Sequence, residues 1–326
     1  MIEVRHLTKR YGVHAAVSDL SFTIDRGMIY GFLGPNGAGK STTMNMITGC
    51  LGATDGEVLI DGHSIMEEPM QAKRLIGYLP EQPPLYTDMT PEEYLGFVLK
   101  AKGVARRDWD VQLKTVMEKT RIEDVKDRLI RNLSKGYRQR VGIAQALLGN
   151  PEVIILDEPT VGLDPKQIIE IRSLIQELGH GHTIVLSSHI LSEVQAVCDS
   201  IMILSKGKLV ASDTAENLTA LFAGAVTLSL ETRATAEEEQ AILKPIQGLE
   251  SVEAHSGEDG ITRISAAQAQ GVDAREALSM AFAQAGKPLL ELHSQRASLE
   301  DVFLELTQGE AGEPAAEPAG KEATGK

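Results

Sequence analysis

The sequence is poor in cysteine. Its only two cysteines, Cys50 and Cys198, lie far apart in a chain of 326 residues, and no CxxC spacing occurs. This pattern argues against both a disulfide framework and a zinc site. We therefore expect two buried, unpaired thiols.

Basic residues are also few compared with acidic ones. The chain has 32 Lys and Arg residues against 46 Asp and Glu residues, which gives a formal net charge of -14. Proteins that bind the phosphate backbone of nucleic acids usually carry a basic surface. We expect no nucleic-acid partner.

Long apolar runs are missing as well. No run approaches the roughly 18 apolar residues that a membrane-spanning helix requires. The first residues, MIEVRHLTKR, lack the apolar stretch of a secretion signal. We therefore expect a chain that is made and kept in the cytosol.

The order of apolar patterns predicts more than one domain. Over about the first two hundred residues, short apolar runs at 28–33, 153–156, 183–187 and 201–204 alternate with helical patterns. This alternation predicts a mainly parallel sheet wound with helices. Residues 91 to about 132 show helical patterns only, and Thr90, Pro91 and Glu93 provide a capping box with proline at the first helical position. We therefore predict a helical insertion.

The pattern changes after about residue 220. Alternating Val226, Leu228 and Leu230 indicate a strand, and a capping box formed by Thr235 and Glu238 precedes a helix. The predicted order is strand, helix, strand, strand, helix, strand, which is typical of a ferredoxin-like unit. A terminal helix follows, and the tail from residue 309 has no large apolar residue, which is typical of disorder.

A phosphate-binding loop follows the first of the apolar runs. Residues 34–42 read GPNGAGKST, which matches G-x-x-x-x-G-K-[ST] between a strand and a helix. Its glycines let backbone N–H groups face phosphates, Lys40 would meet the β- and γ-phosphates, and Ser41 would hold magnesium. The predicted ATP-binding loop consists of Gly34, Pro35, Asn36, Gly37, Ala38, Gly39, Lys40, Ser41 and Thr42.

Two carboxylates end the apolar strand at 153–156. Ligands gather where the strands of a parallel sheet end, so Asp157 can reach the magnesium through water while Glu158 faces the attacking water. Without the upstream phosphate loop, such a pair would more often be solvated loop charge. The two motifs together predict nucleoside triphosphate hydrolysis.

Three further motifs complete a family pattern. LSKGYRQR at 133–140, VGLD at 161–164 and SSH at 187–189 follow in the order and spacing of the ABC ATPases, which residues 1–220 resemble. The resemblance implies an α/β fold, the P-loop NTPase fold of ABC type with a helical subdomain at about 91–140. We predict an ATPase domain over 1–222, an accessory α+β (ferredoxin-like) domain with its terminal helix over 223–308, and a disordered tail over 309–326.

The resemblance also implies roles for single residues, with ATP and Mg²⁺ as the ligands. Tyr11 would stack on adenine, although a surface tyrosine at a strand end is an alternative. His189 would bridge to the γ-phosphate, although a histidine taken alone is more often a cap. Ser134 and Gly136 would complete the ATP site of a second subunit, and Asp164 would lie at the contact between the two subunits.

The sequence departs from the family pattern at two places. Lys135 and Tyr137 stand where the signature motif commonly has glycine and glutamine. The resemblance also implies a catalytic, magnesium-binding glutamine between sheet and helical block. It corresponds either to Gln82 or, counting from Ile76, to Glu81. We prefer Gln82.

The resemblance finally implies partners. Such ATPases act in pairs, as identical or related subunits, and drive a separate membrane permease, so the chain would lie on the inner face of the membrane. The segment with Tyr86, Met89, Tyr94 and Phe97 would contact the permease, with core packing as the alternative for Tyr94 and Phe97. The signature region and the terminal ASLEDVFLEL resemble bacterial export-type systems of the multidrug and gliding-associated group. The alternative function is a soluble ABC ATPase with a non-membrane partner.

Overall fold

The computed structural model describes residues 1–222, 226–257, 260–269, 272–295 and 299–308. They fall into two compact units, the first with residues 1–214 and 306–308 and the second with residues 215–305. The helix Ala215–Phe222 is grouped with the second unit by its contacts, whereas the sequence pattern placed it in the ATPase domain over 1–222. The predicted domain bounds stay a prediction. The predicted tail at 309–326 and Ser298, before the terminal helix, lie outside the described residues.

The first unit is built around a six-stranded sheet. Its strand order is β10-β9-β3-β8-β7-β6, and all neighbours are parallel except the edge strand β10. The predicted mainly parallel sheet is confirmed. Its strands are β3 (Ile29–Leu33), β6 (Ile76–Leu79), β7 (Val153–Asp157), β8 (Thr183–Ser188), β9 (Ser200–Ser205) and β10 (Lys208–Asp213).

A second, antiparallel sheet in this unit was not predicted. Its order is β2-β1-β4-β5. Its strands are β1 (Ile2–Tyr11), β2 (His14–Ile24), β4 (Asp55–Ile60) and β5 (His63–Ser64). Apolar side chains of both sheets, among them Leu7, Phe32 and Ile155, form one buried cluster together with Met44. Met44 lies on the helix that follows β3, so this helix packs against both sheets.

The helices of the first unit include the predicted helical insertion. Thr90 Oγ1 accepts a hydrogen bond from the Glu93 backbone N–H, and Glu93 Oε2 accepts one from the Thr90 N–H, so the predicted capping box is confirmed. The helices are α1 (Lys40–Ile47), α2 (Pro69–Arg74), α3 (Pro91–Ala101), α4 (Trp109–Thr120), α5 (Lys135–Leu147), α6 (Pro165–Gly179) and α7 (Leu191–Val197).

The second unit has its own sheet and core. The antiparallel strand order is β12-β13-β11-β14, and Leu228, Ile264 and Phe282 are fully or almost fully buried in its core. This order and the alternation of strands and helices support the ferredoxin-like assignment, which stays a prediction. The elements are α8 (Ala215–Phe222), β11 (Val226–Thr232), α9 (Ala236–Leu243), β12 (Leu249–Ser256), β13 (Thr262–Gln268), α10 (Arg275–Gln284), β14 (Leu289–Gln295) and the part of α11 (Leu299–Gln308) up to residue 305.

Two expectations about exposure can be checked. Within the described ranges, no helix combines the length and the apolar character that crossing a bilayer requires. The expectation of two buried thiols was wrong for Cys50, which is exposed. Cys198 is of intermediate exposure, and burial raises the pKa of its thiol. Cys50 follows the end of α1, where the chain turns at the surface, whereas the Cys198 sulfur lies close to Gly31 of β3.

Candidate active site

A cavity of about 500 Å³ lies where the central parallel strands end. Strands β3, β8 and β7 are neighbours, so the segments that follow them meet at one edge of the sheet. The cavity is lined by Tyr11, His14, Ala16, Asn36, Gly37, Ala38, Gly39, Lys40, Ser41, Thr42, Glu81, Glu158, Val161 and His189.

The loop between β3 and α1 wraps one side of this cavity. Gly37 and Gly39 have φ values of 81° and 102°, a region that favours glycine, and a side chain at Gly39 would come within 2.7 Å of the Ala16 carbonyl oxygen. Lys40 is only 6% exposed, and its Nζ donates to the Gly34 carbonyl at 2.7 Å. The ammonium group is thus held over the loop whose N–H groups are suited to phosphate oxygens.

Ser41 and Asp157 come together as the sequence predicted. Ser41 Oγ donates to Asp157 Oδ1 at 3.2 Å, although 116 positions separate the two residues. Asp157 is buried, and Ser187 at the end of β8 donates a second hydroxyl to the same oxygen at 2.5 Å. A carboxylate and a hydroxyl side by side provide the hard oxygen donors that Mg²⁺ prefers.

Glu158 is the next residue and has an unusual backbone conformation. Its φ is 49°, in the left-handed region that residues other than glycine seldom adopt. Its Oε2 lies 2.9 Å from His189 Nδ1, and its Oε1 lies 3.7 Å from Lys40 Nζ. The turn therefore places the nearly buried Glu158 carboxylate between the Lys40 ammonium and the His189 imidazole. A carboxylate held in this way is suited to proton transfer.

The segment after β6 contributes Glu81 to the cavity. β6 ends at Leu79, which pairs with Leu156 of β7, so Glu81 follows two residues beyond the sheet edge. Glu81 and Gln82 are both exposed, but only Glu81 is among the residues that line the cavity. This placement favours Glu81 over our preferred Gln82 as the residue that faces the nucleotide.

Tyr11 lines the cavity at the end of β1. Its side chain is 52% exposed, and Lys9 Nζ lies 5.4 Å from the centre of its ring. A flat, accessible aromatic face at the rim of a phosphate site is suited to stacking on a nucleobase. The position agrees with the predicted role.

The signature residues do not line this cavity. Ser134 and Asp164 are exposed helix caps: Ser134 Oγ accepts from Tyr137 N–H and Asp164 Oδ1 from Gln167 N–H. Gly136 is buried against Gln167, and a side chain there would come within 2.6 Å of the Gln167 side chain. Ser134, Gly136 and Asp164 are therefore not among the residues that line the cavity of their own chain.

Contacts within the subunit hold the two unusual signature residues. Tyr137 Oη donates to Asp124 Oδ2 at 2.6 Å, and this hydrogen bond raises the pKa of the tyrosine. The Lys135 ammonium reaches the turn at Gly162, which belongs to the VGLD motif. These side chains link α5 to the helical block and to the segment before α6.

Sequence comparisons place the chain in a known family. Residues 17–161 match the family model described as "ABC transporter". The linearmycin resistance ATP-binding protein LnrL of Bacillus subtilis is 34% identical over 94% of this chain and 98% of its own length. The chain belongs to the ABC transporter ATP-binding proteins. This ABC ATPase is also 33% identical to the bacitracin transport ATP-binding protein BcrA of Bacillus licheniformis, over 95% and 98% of the two chains.

Solved structures extend the comparison. An ATP-binding subunit of an ABC transporter is 34% identical, with a TM-score of 0.62 over 68% of this chain and 93% of the other. A dimeric ATP-binding cassette in a post-hydrolysis state with ADP and Pi is 27% identical, with a TM-score of 0.60 over 66% and 98%. The ABC ATPase described here is accordingly an ATP-binding and ATP-hydrolysing subunit.

Some residues of the site did not emerge from the sequence. His14 and Ala16 line the cavity without belonging to a recognised motif, and Val161 lines it although no role was predicted for it within the VGLD motif. Ser187 contacts Asp157, although within the SSH motif only His189 was given a role. The register that pairs Asp157 with Ser187 brings them together, and a pairing register is not readable from one strand.

Proposed function

We propose that this ABC ATPase powers export through a separate membrane permease, and that it does so in a pair of subunits that close around ATP. The observation that carries the proposal is the division of the site. Lys40, Glu158 and His189 share one cavity, whereas Ser134 and Gly136 lie elsewhere on the same chain. A second subunit would bring the start of its α5 to the open side of the cavity and complete the site.

In this arrangement each side chain has a defined task. Lys40 binds the β- and γ-phosphates, and Glu158 orients the attacking water and accepts its proton. His189 holds Glu158 through Nδ1 and reaches the γ-phosphate, while Tyr11 stacks on adenine. Lys40 Nζ lies 3.7 Å from Glu158 Oε1, so the phosphates compete with Glu158 for the Lys40 ammonium. ATP binding therefore releases the carboxylate for its role as a base.

The donor set fits Mg²⁺. Ser41 Oγ and Asp157 Oδ1 would hold the ion, with water as further ligands, because Mg²⁺ takes oxygen ligands and keeps several waters. Glu81 adds a carboxylate to the same cavity. The ion supplies positive charge that offsets the charge of the phosphates.

The permease contact is proposed at an aromatic surface of the helical block. Tyr86 and Phe97 are 50% and 43% exposed, with ring centres 5.2 Å apart, whereas Tyr94 beneath them is buried. Exposed adjoining aromatic rings are typical of interaction sites. Together with the resistance and transport relatives, this surface supports an exporter subunit on the cytoplasmic side of the membrane, with an identical or related ATPase as its partner.

The proposal is tested by trapping the closed pair. The variant Glu158→Gln keeps the phosphate loop but lacks the base, so with ATP and Mg²⁺ it should elute as a dimer in size-exclusion chromatography. Purified from detergent-solubilised native membranes under the same conditions, the dimer should carry a membrane permease.

Lys40→Ala is the matched control, because it removes the ammonium group from the same cavity and should remain monomeric with ATP. A monomeric Glu158→Gln protein would contradict the sandwich of two subunits. A dimer that brings down soluble proteins and no membrane protein would contradict the transporter function.

A further inference from the structure

The hydroxyl of Ser187 connects the two carboxylates of the site. Ser187 is fully buried at the end of β8, where it pairs in register with Asp157 of β7. Its Oγ donates to Asp157 Oδ1 at 2.5 Å and accepts from the Glu158 backbone N–H at 2.9 Å. One side chain thus contacts both the residue proposed to hold magnesium and the proposed base.

The direction of both hydrogen bonds is determined by chemistry. An ionised carboxylate only accepts and a backbone N–H only donates, so the single hydroxyl proton points to Asp157 and a lone pair faces Glu158. Both contacts are buried, and a buried polar group that loses its partner destabilises the conformation that requires it. No other residue type of this size offers both functions except threonine and, more weakly, cysteine.

The contact bears directly on the unusual turn at Glu158. The chain leaves the extended conformation there, with φ at 49°, and the Glu158 N–H bonds to the Ser187 side chain. A left-handed residue persists only where its surroundings hold it. This same turn places the Glu158 carboxylate 2.9 Å from His189 and 3.7 Å from Lys40.

We propose that Ser187 is a positioning residue of the hydrolytic site, which holds Glu158 in its left-handed turn and fixes the position of the adjacent Asp157 carboxylate. It acts through these two residues and does not touch ATP. The inference depends on the proposed role of Glu158 as the base.

The first test compares kcat with nucleotide affinity in the purified full-length chain. Ser187→Ala should lower kcat about tenfold or more, which corresponds to about 1.4 kcal/mol of activation free energy. Its Kd for ATP should stay within about twofold, because the phosphate loop is unchanged. Ser187→Thr, which keeps the hydroxyl on a branched side chain suited to a strand, should recover most of the rate.

Ser64→Ala is the matched control. Ser64 is 6% exposed and accepts from the Met66 and Glu67 backbone N–H groups at 3.4 and 3.3 Å, but it is not among the residues that line the cavity. Its kcat should stay within about twofold of the original protein. If Ser187→Ala does not fold, Ser187→Cys takes its place, since it keeps the size of the side chain and weakens both hydrogen bonds.

The second test asks whether Ser187 acts through Glu158. In single-turnover measurements, Ser187→Ala should add little to the loss caused by Glu158→Gln, because residues that act as a unit are not additive. The proposal would be overturned if the losses of the two single variants multiplied in the double variant, or if Ser187→Ala left kcat unchanged. It would also be overturned if Ser187→Ala lowered kcat and ATP affinity equally, in step with its melting temperature. If Glu158→Gln alone kept full activity, Glu158 would not be the base. Failure of the proposed function is therefore distinguishable from failure of the proposal for Ser187.

Discussion

At the scale of single residues, the site concentrates charge in a small, partly closed space. Lys40 and Glu158 are 6% and 7% exposed, and Glu81 lines the same cavity. The cavity thus holds one ammonium group and two carboxylates before any phosphate enters. Each carboxylate on the wall repels the triphosphate, so the balance of charge determines how much nucleotide binding depends on the divalent ion.

The position of Glu81 leads to a prediction about this balance. Without divalent metal, Glu81→Gln should bind ATP about threefold to tenfold more tightly than the original chain, since it removes a negative charge from the wall. Titration calorimetry in the presence of a chelator measures this directly. Gln82→Ala should leave the affinity unchanged. If Gln82→Ala changes the affinity and Glu81→Gln does not, the original preference for Gln82 is restored.

The choice between these two neighbours shows the limit of sequence reasoning at this scale. The loop at 34–42 could be predicted because its strand, glycines and lysine follow one another directly in the sequence. The helix cap at Thr90 could be predicted because it depends only on Glu93, three residues away. Whether Glu81 or Gln82 reaches the cavity depends on where β6 ends, and the pairing of β6 with β7 determines that end. Contacts between strands, such as that of Ser187 with Asp157, depend on the pairing register, which no local sequence pattern specifies.

At the scale of elements, α7 connects two of the segments around the site. Glu193 in its first turn is 6% exposed, and its Oε2 accepts from Thr160 Oγ1 at 2.5 Å and from Ser188 Oγ at 3.2 Å. Thr160 follows Glu158 by two residues and Ser188 precedes His189. A single buried carboxylate therefore holds the segments after β7 and β8 together.

Removing this carboxylate should loosen both segments. Glu193→Ala leaves two buried hydroxyls without their acceptor, and we expect a loss of about 1–3 kcal/mol in the free energy of unfolding, measured by urea denaturation. Glu118→Ala is a suitable control, because Glu118 is a half-exposed member of a pair with Lys114 four residues away on α4. That change should cost no more than about 0.5 kcal/mol. Equal effects of the two variants would show that α7 does not hold the segments.

Elements differ in how far the sequence predicts them. The strands around the phosphate loop were predicted because buried parallel strands appear as continuous apolar runs. The β1–β2 pair was missed because bulges interrupt its alternation: its register shifts between Val4 and Leu7, and His6 and Asp19 have positive φ values of 51° and 54°. A strand pair with such shifts has no regular period along the sequence.

At the scale of the whole molecule, the chain contains two units with separate cores. Leu7, Phe32 and Ile155 belong to the core of the first unit, and Leu228 and Phe282 belong to that of the second. All residues that line the nucleotide cavity lie between Tyr11 and His189, within the first unit. Nucleotide binding and the stability of the second unit should therefore be separable.

A core variant of the second unit tests this separation. Phe282 is fully buried there, and Phe282→Ala should destabilise the second unit by about 3–5 kcal/mol, because it removes a ring from a packed core. The affinity for ATP should stay unchanged, and saturating ATP at about 100 times its Kd should still stabilise the first unit by about 2.7 kcal/mol. Calorimetric scans with and without ATP distinguish the two effects. A weakened ATP affinity in Phe282→Ala would instead show that the second unit contributes to the ATP site, and its role would then extend beyond its own fold.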